Sequence, residues 1–152
     1  MSRKPTASLT TLAELKALEE RAAAERLSAA RERLDSARRQ LEAVQGYLHE
    51  YSVERNGAGP GSDARALLDR QRFRLELERS VEAQSVAVER ARAQAESARG
   101  HWTGVRAERE AMQKLVARRD ADAAKRSAQA DQRQSDDQAL GRATKAEDSP
   151  AA

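Results

Sequence analysis

Few residues of this sequence have the types or spacing that chemistry needs. There are two histidines, His49 and His101, and no cysteine. A metal or catalytic site needs several such groups to converge. Nothing in the sequence brings partners to either histidine, and both read as surface residues of helices. The lack of cysteine excludes disulfides, thiolate zinc sites and cysteine nucleophiles, and fits a reducing compartment. The run Gly57-Ala58-Gly59-Pro60-Gly61 is glycine-rich in the manner of a phosphate loop. It lacks the Gly-Lys-Ser/Thr ending and a preceding strand, so it reads as a turn. Asp136 and Asp137 are adjacent carboxylates, but a thin helical hairpin has no cleft to desolvate them. Gly100 and Gly104 have small-xxx-small spacing; in so polar a context they mark a soft spot in a helix rather than a packing motif. The expectation is a chain that is not an enzyme, with no catalytic residues, no cofactor and no metal.

The elements that carry these residues follow from composition and period. Of 152 residues, 35% are charged and 3% aromatic, and alanine supplies much of the 39% that is hydrophobic. This is the composition of long helices and coiled coils, whose stability is gained along a thin seam. The 28 basic and 25 acidic residues leave a net charge of +3 and are mixed along the chain. A nucleic-acid binder gathers its charge on one stripe; Arg–Glu interleaving fits solvated coiled-coil faces instead. No window approaches the ~18 consecutive apolar residues of a spanning helix. Ser8, Thr10, Thr11 and Glu14 interrupt any apolar signal region.

Residues 1–7 read as a polar leader. Thr11-Leu12-Ala13-Glu14 fits a capping box, with Ser8 or Thr6 as an earlier start. Helix one is expected over 8–54, with the seam Ala30, Leu34, Ala37, Leu41, Val44, Leu48, Tyr51 at alternating spacings of three and four. Leu12, Leu15 and Leu18 are spaced three apart, which implies a stutter before the phase is recovered at Ala23 and Leu27. Residues 55–63 are the Gly/Pro turn, with Ser62 or Asp63 as N-cap of the next helix. Helix two is expected over 64–140, with the seam Leu77, Val81, Gln84, Val88, Ala91, Ala95, Ala98, Trp102, Val105, Arg109, Met112, Val116. A tight turn makes the helices antiparallel, with facing residue numbers adding to roughly 117. Val44 then faces Phe73, Leu34 faces Ala83 or Gln84, and Leu15 faces Trp102. The fold class is all-α, an antiparallel two-helix coiled-coil hairpin. Because the turn comes early, helix two overhangs from about 113, and 141–152 form a flexible tail.

Two features exceed the needs of a hairpin. Three of the four aromatics, Tyr47, Tyr51 and Phe73, gather near the turn. They either plug the open end of the coiled coil or present a contact surface to a partner. The overhang is either disordered or completed by another protein.

These residues also carry a resemblance. Gln40-Leu41 with Tyr47 and Glu50-Tyr51 close helix one, a Gly-containing turn follows, and Gln71-Arg72-Phe73 with Leu77 open helix two. Trp102, Lys114-Leu115, Arg118 and the late Asp131-Gln132-Arg133-Gln134-Ser135-Asp136-Asp137 complete the pattern. It resembles the FliJ family, soluble components of the bacterial flagellar type III export apparatus, over nearly the whole chain. The late segment departs from the family's acidic ending at Ser135, Asp137 and Gln138.

The resemblance implies a stalk-like helical hairpin that links the hexameric export ATPase to the cytoplasmic domain of the membrane-embedded export gate and handles export chaperones. Carried over by position, the gate contact would use Gln40, Val44, Tyr47, Tyr51, Phe73, Leu77, Ser80 and Gln84, with Ser80 and Gln84 departing from the family pattern. The ATPase contact would use Leu12, Leu15, Lys114, Leu115, Arg118 and Arg119. The implied location is cytoplasmic, peripheral to the inner face of the cell membrane, with no insertion into it and no nucleic-acid partner. The free chain is expected to be a monomer. Alternatives are a homodimeric structural coiled coil with the Gly-Pro stretch as a kink, and the YscO-type stalk protein of a type III injectisome.

Overall fold

The structure, a computed structural model, describes residues 5–56 and 63–148, with side chains from 8 to 54 and from 63 to 148. The fold is all-α, two long helices packed against each other: α1, Pro5–Asn56, and α2, Ala64–Glu147. The glycines and proline expected to reverse the chain fall at 57–61, outside the described residues, as do Ser62 and most of the leader.

Both helices start and stop for local reasons. α1 begins at Pro5, six residues ahead of Thr11, so the expected capping box lies inside the helix. Proline suits a first helical position, because its fixed φ is already helical and its missing N–H is one that no carbonyl would have reached. Asp63 directly precedes α2, and its carbonyl accepts the Leu67 N–H at 3.1 Å, closing the first turn. α2 passes through Gly141 and runs on to Glu147, beyond the expected end at 140. Its last turn is closed by the Asp148 N–H on the Thr144 carbonyl at 3.1 Å.

The chain forms two compact units: Met1–Leu18 with Ala107–Ala152, and Glu19–Arg106. All five buried residues among those described, Ala23, Leu27, Ala30, Ala95 and Val105, belong to the second unit. They fall on the expected seams. In the first unit the row facing inward is only half-buried: Leu9, Ala13 and Lys16 on α1, and Arg109, Met112 and Val116 on α2. From 117 to 148 every residue is exposed. Exposure therefore opens at 117, not at about 113.

Two sequence expectations are corrected here. The first is the stutter. Apart from Ala29, which flanks the row, half-buried or buried positions from 9 to 34 run Leu9, Ala13, Lys16, Glu20, Ala23, Leu27, Ala30, Leu34, an unbroken alternation of four and three. Leu12, Leu15 and Leu18 lie outside it, and Leu18 is 62% exposed. Lys16 and Glu20 hold the seam positions that leucines were expected to fill. Long charged side chains can do this at a thin interface, since the stem packs while the head reaches water. Lys16 Nζ reaches Glu108 at 2.8 Å on α2.

The second is the register. Tyr51 meets Phe73 in the second unit, and Lys16 meets Glu108 in the first. Each pair adds to 124 rather than 117. Trp102 borders a cleft with Ala24, Leu27 and Ser28, while Leu15 is exposed. The displacement is one heptad. A shift of seven returns every side chain to nearly the same face, so both registers bury the same residues and the pattern alone cannot choose between them.

The helical glycines make no close approach. An added Cβ at Gly46, Gly100, Gly104 or Gly141 would meet nothing within 4 Å, so Gly100 and Gly104 are not a packing motif.

Stability should follow the seam. Leu27→Ala is expected to cost about 2–3 kcal/mol in urea unfolding, at the low end for buried leucines. Leu18→Ala should change stability by less than about 0.5 kcal/mol; comparable losses at the two sites would restore the stuttered register. Gly100→Ala and Gly104→Ala should each stabilise by about 0.5–1 kcal/mol. Amide hydrogen exchange should be faster over 8–18 than over 23–44, since the shallower unit opens more readily.

Candidate partner-binding surfaces

The candidate gate residues Gln40, Val44, Tyr47, Tyr51, Phe73, Leu77, Ser80 and Gln84 all belong to the unit Glu19–Arg106. The structure brings four of them together. Tyr47, Tyr51, Phe73 and Leu77 line an open cleft of about 400 Å³ with Glu50 and Glu54. The reason is helical geometry. Residues 47, 50, 51 and 54 recur at spacings of three and four along one side of α1, and Phe73 and Leu77 are one turn apart on α2. Gln40, Val44, Ser80 and Gln84 do not line this cleft. Val44, Ser80 and Gln84 are half-buried, and Gln40 is exposed.

The three aromatics play different parts. Tyr51 and Phe73 are packed edge to face, with ring centroids 5.0 Å apart and an interplanar angle of 67°. This is a favoured arrangement for two ring quadrupoles. The Tyr51 hydroxyl also donates to the Arg70 carbonyl at 3.0 Å. Tyr51 thus ties α1 to α2 at both ends of its side chain. Tyr47 forms no such tie and is 62% exposed. The cleft combines apolar side chains with the carboxylates Glu50 and Glu54, neither of which is among the candidate contact residues read from the sequence. The signal was present: they follow Tyr47 by three and seven residues.

The candidate ATPase residues Leu12, Leu15, Lys114, Leu115, Arg118 and Arg119 all belong to the other unit, Met1–Leu18 with Ala107–Ala152. All six are exposed, Leu12 and Leu115 by 44% and 43%. Leu12 is one turn from the seam residue Lys16, and Leu115 lies beside the seam residue Val116.

His49 and His101 are exposed, and no group of three or more His, Cys, Asp or Glu side chains among the described residues could hold a metal ion. A cleft beside Arg26 is lined by Ala93, Gln94, Ser97, Ala98 and His101. It brings no second titratable group to the histidine apart from that arginine. No helix of the described residues is long and apolar enough to cross a membrane.

The family model for the flagellar FliJ protein matches residues 5–147, nearly the whole chain. No curated protein and no solved structure gives a significant match.

Tyr51→Phe keeps the ring and removes the hydroxyl. It should cost about 0.5–1.5 kcal/mol, the net worth of one hydrogen bond, and Tyr51→Ala should cost more. Thermal unfolding by circular dichroism measures both. A Tyr51→Phe variant as stable as the parent would mean that the Arg70 contact does not hold the helices.

Proposed function

Because the chain belongs to the FliJ family, components of the flagellar protein export apparatus, we propose that it is the stalk-like, non-enzymatic part of that apparatus. In this reading it joins the export ATPase hexamer to the cytoplasmic domain of the export gate and assists the handling of export chaperones and their substrates. It works in the cytoplasm at the inner face of the membrane, held there by its partners. Nucleotide hydrolysis belongs to the ATPase.

One observation carries the reading. Each compact unit has exposed apolar side chains of its own among the residues carried over from the resemblance. The Tyr47–Phe73 cleft is in one. Leu12, Leu15 and Leu115 are in the other, with Arg118 and Arg119 following on α2. A protein that links two partners needs two such surfaces, and aromatics and arginine are the residue types that carry interface energy. Assigning the cleft to the gate and the leucine set to the ATPase follows the resemblance described above. The Tyr51–Phe73 pairing within one chain supports a hairpin that is a monomer when free.

Tyr47 is the most informative position, because it is exposed and ties no helices together. Tyr47→Ala should weaken binding to the purified cytoplasmic domain of the gate by about tenfold or more, on the order of 1.4 kcal/mol, with helicity unchanged. Titration calorimetry reads the affinity. Wild-type affinity in this variant would remove the cleft from the gate contact. Leu12→Asp with Leu115→Asp should reduce binding to the ATPase hexamer by a similar factor and leave gate binding alone. If the double variant loses both together, or neither, the division of labour between the two surfaces is wrong.

A further inference from the structure

α2 carries a second heptad row that neither surface above uses. Leu68, Leu75 and Val86 are 59%, 47% and 46% exposed. At 3.6 residues per turn, separations of seven and eleven return to the same side of a helix. That side is turned away from the seam residues Leu77, Val81, Gln84 and Val88. Between these three, Arg72 and Arg79 lie toward one edge of that side and Glu82 toward the other, so the positions from Leu68 to Val86 are spaced four, three, four, three and four. This is the spacing of a coiled-coil seam, on a face that no helix among the described residues covers. Isolated exposed leucines need no explanation; a row in heptad phase does.

The charges bordering the row are sorted by sign. Arg65, Arg72 and Arg79 recur every seven residues along one edge. Glu82 and Glu89 lie along the other. All five are exposed; Glu89 also lies 3.8 Å from Arg92 one turn on, a solvent-screened contact that leaves its carboxylate open to a partner. Such an edge pattern selects a partner helix by its flanking charges. It is unlike the surface of a membrane-binding helix, where acidic residues beside the apolar stripe would face anionic headgroups.

We propose that the outer face of α2 from Arg65 to Glu89 docks an amphipathic helix of a second protein. The docked helix lays an apolar stripe on Leu68, Leu75 and Val86, an acidic edge along Arg65, Arg72 and Arg79, and a basic edge along Glu82 and Glu89. The surface is distinct from the Tyr47–Phe73 cleft, so the proposal does not depend on which partner occupies that cleft.

The test uses the full chain and a fluorescently labelled synthetic helix of about three heptads, with Leu at the a and d positions, Glu along one flank and Lys along the other. A second peptide carries Lys on both flanks. Anisotropy should show saturable binding of the mixed peptide and binding of the all-Lys peptide weaker by about tenfold or more. Leu75→Gln should abolish binding, and Arg72→Glu with Arg79→Glu should reverse the ranking of the two peptides. Circular dichroism checks that the variants keep their helicity, as exposed positions should. Failure of the mixed peptide to bind overturns the proposal, as does equal binding of both peptides or binding that Leu75→Gln does not affect. Two further results would replace it. Phosphatidylglycerol vesicles that bind the parent and not Leu75→Gln would make the face a membrane surface. A dimer of the parent chain in sedimentation, lost in Leu75→Gln, would make the occupant a second copy.

Discussion

Where α1 packs against α2, the contact is one row of side chains deep on each helix. Only alanine, leucine and valine at five positions among the described residues are buried. Each layer therefore removes little apolar area from water, at roughly 25 cal/mol per Å², and stability must be gathered over many layers. Small residues serve this arrangement, because Ala23, Ala30 and Ala95 let two backbones approach closely enough to shield each other. The same constraint leaves most of each helix surface outside the seam, where binding can be built without disturbing the fold.

The seam's thinness also explains which parts of the fold the sequence disclosed. From Ala30 to Tyr51, and from Leu77 to Val116, side chains alternate by three and four, and burial follows that alternation. The helices and their inward faces were legible there. Over 9–20 hydrophobicity misled. Leucine at 12, 15 and 18 drew the seam away from Lys16 and Glu20, as it would in a thick core, where a buried charge is costly. In a two-helix pair every seam position lies near solvent, so a lysine can hold one while its ammonium meets Glu108. The register was illegible for another reason. Seven-residue periodicity is degenerate under a slip of seven, and only contacts such as Tyr51 with Phe73 break the degeneracy.

The aromatic cluster shows how far residue type carries a site. Gathering three of four aromatics near one turn marked the place correctly as unusual, and plug and contact surface stood as alternatives. The geometry packs two of the three, Tyr51 and Phe73, against each other and leaves the third exposed. Tyr51, through its ring and its hydroxyl, closes the pair. Tyr47, on the same side of α1 and far more exposed, is left over. Glu50 and Glu54 give the cleft a charge that aromatic counting could not reveal. On α2 the outer row at Leu68, Leu75 and Val86 escaped notice because the stronger period was the inner one. Two heptad rows on one helix overlap in sequence and separate only once exposure assigns each residue a side.

The stretch from 117 to 147 completes the consequences of a one-row seam. It is helical without burial, so local terms must sustain it. Alanine, arginine and glutamine are good helix formers, and Gln132 donates to Asp136 at 3.0 Å across one turn. Gly141 works against the helix by about 1 kcal/mol relative to alanine. An isolated segment of this composition would be marginal, because nucleating a helix is costly. Here the preceding turns of α2 are already fixed by packing, so the segment only propagates a helix that exists, and each added residue contributes a bond at little further cost. A partner that bound this stretch would meet backbone already ordered and would spend less of its interaction free energy on ordering it. With α1 ending at Asn56 and α2 running from Ala64 to Glu147, α2 outlasts the seam that nucleates it, and local propensity carries the helix onward from there.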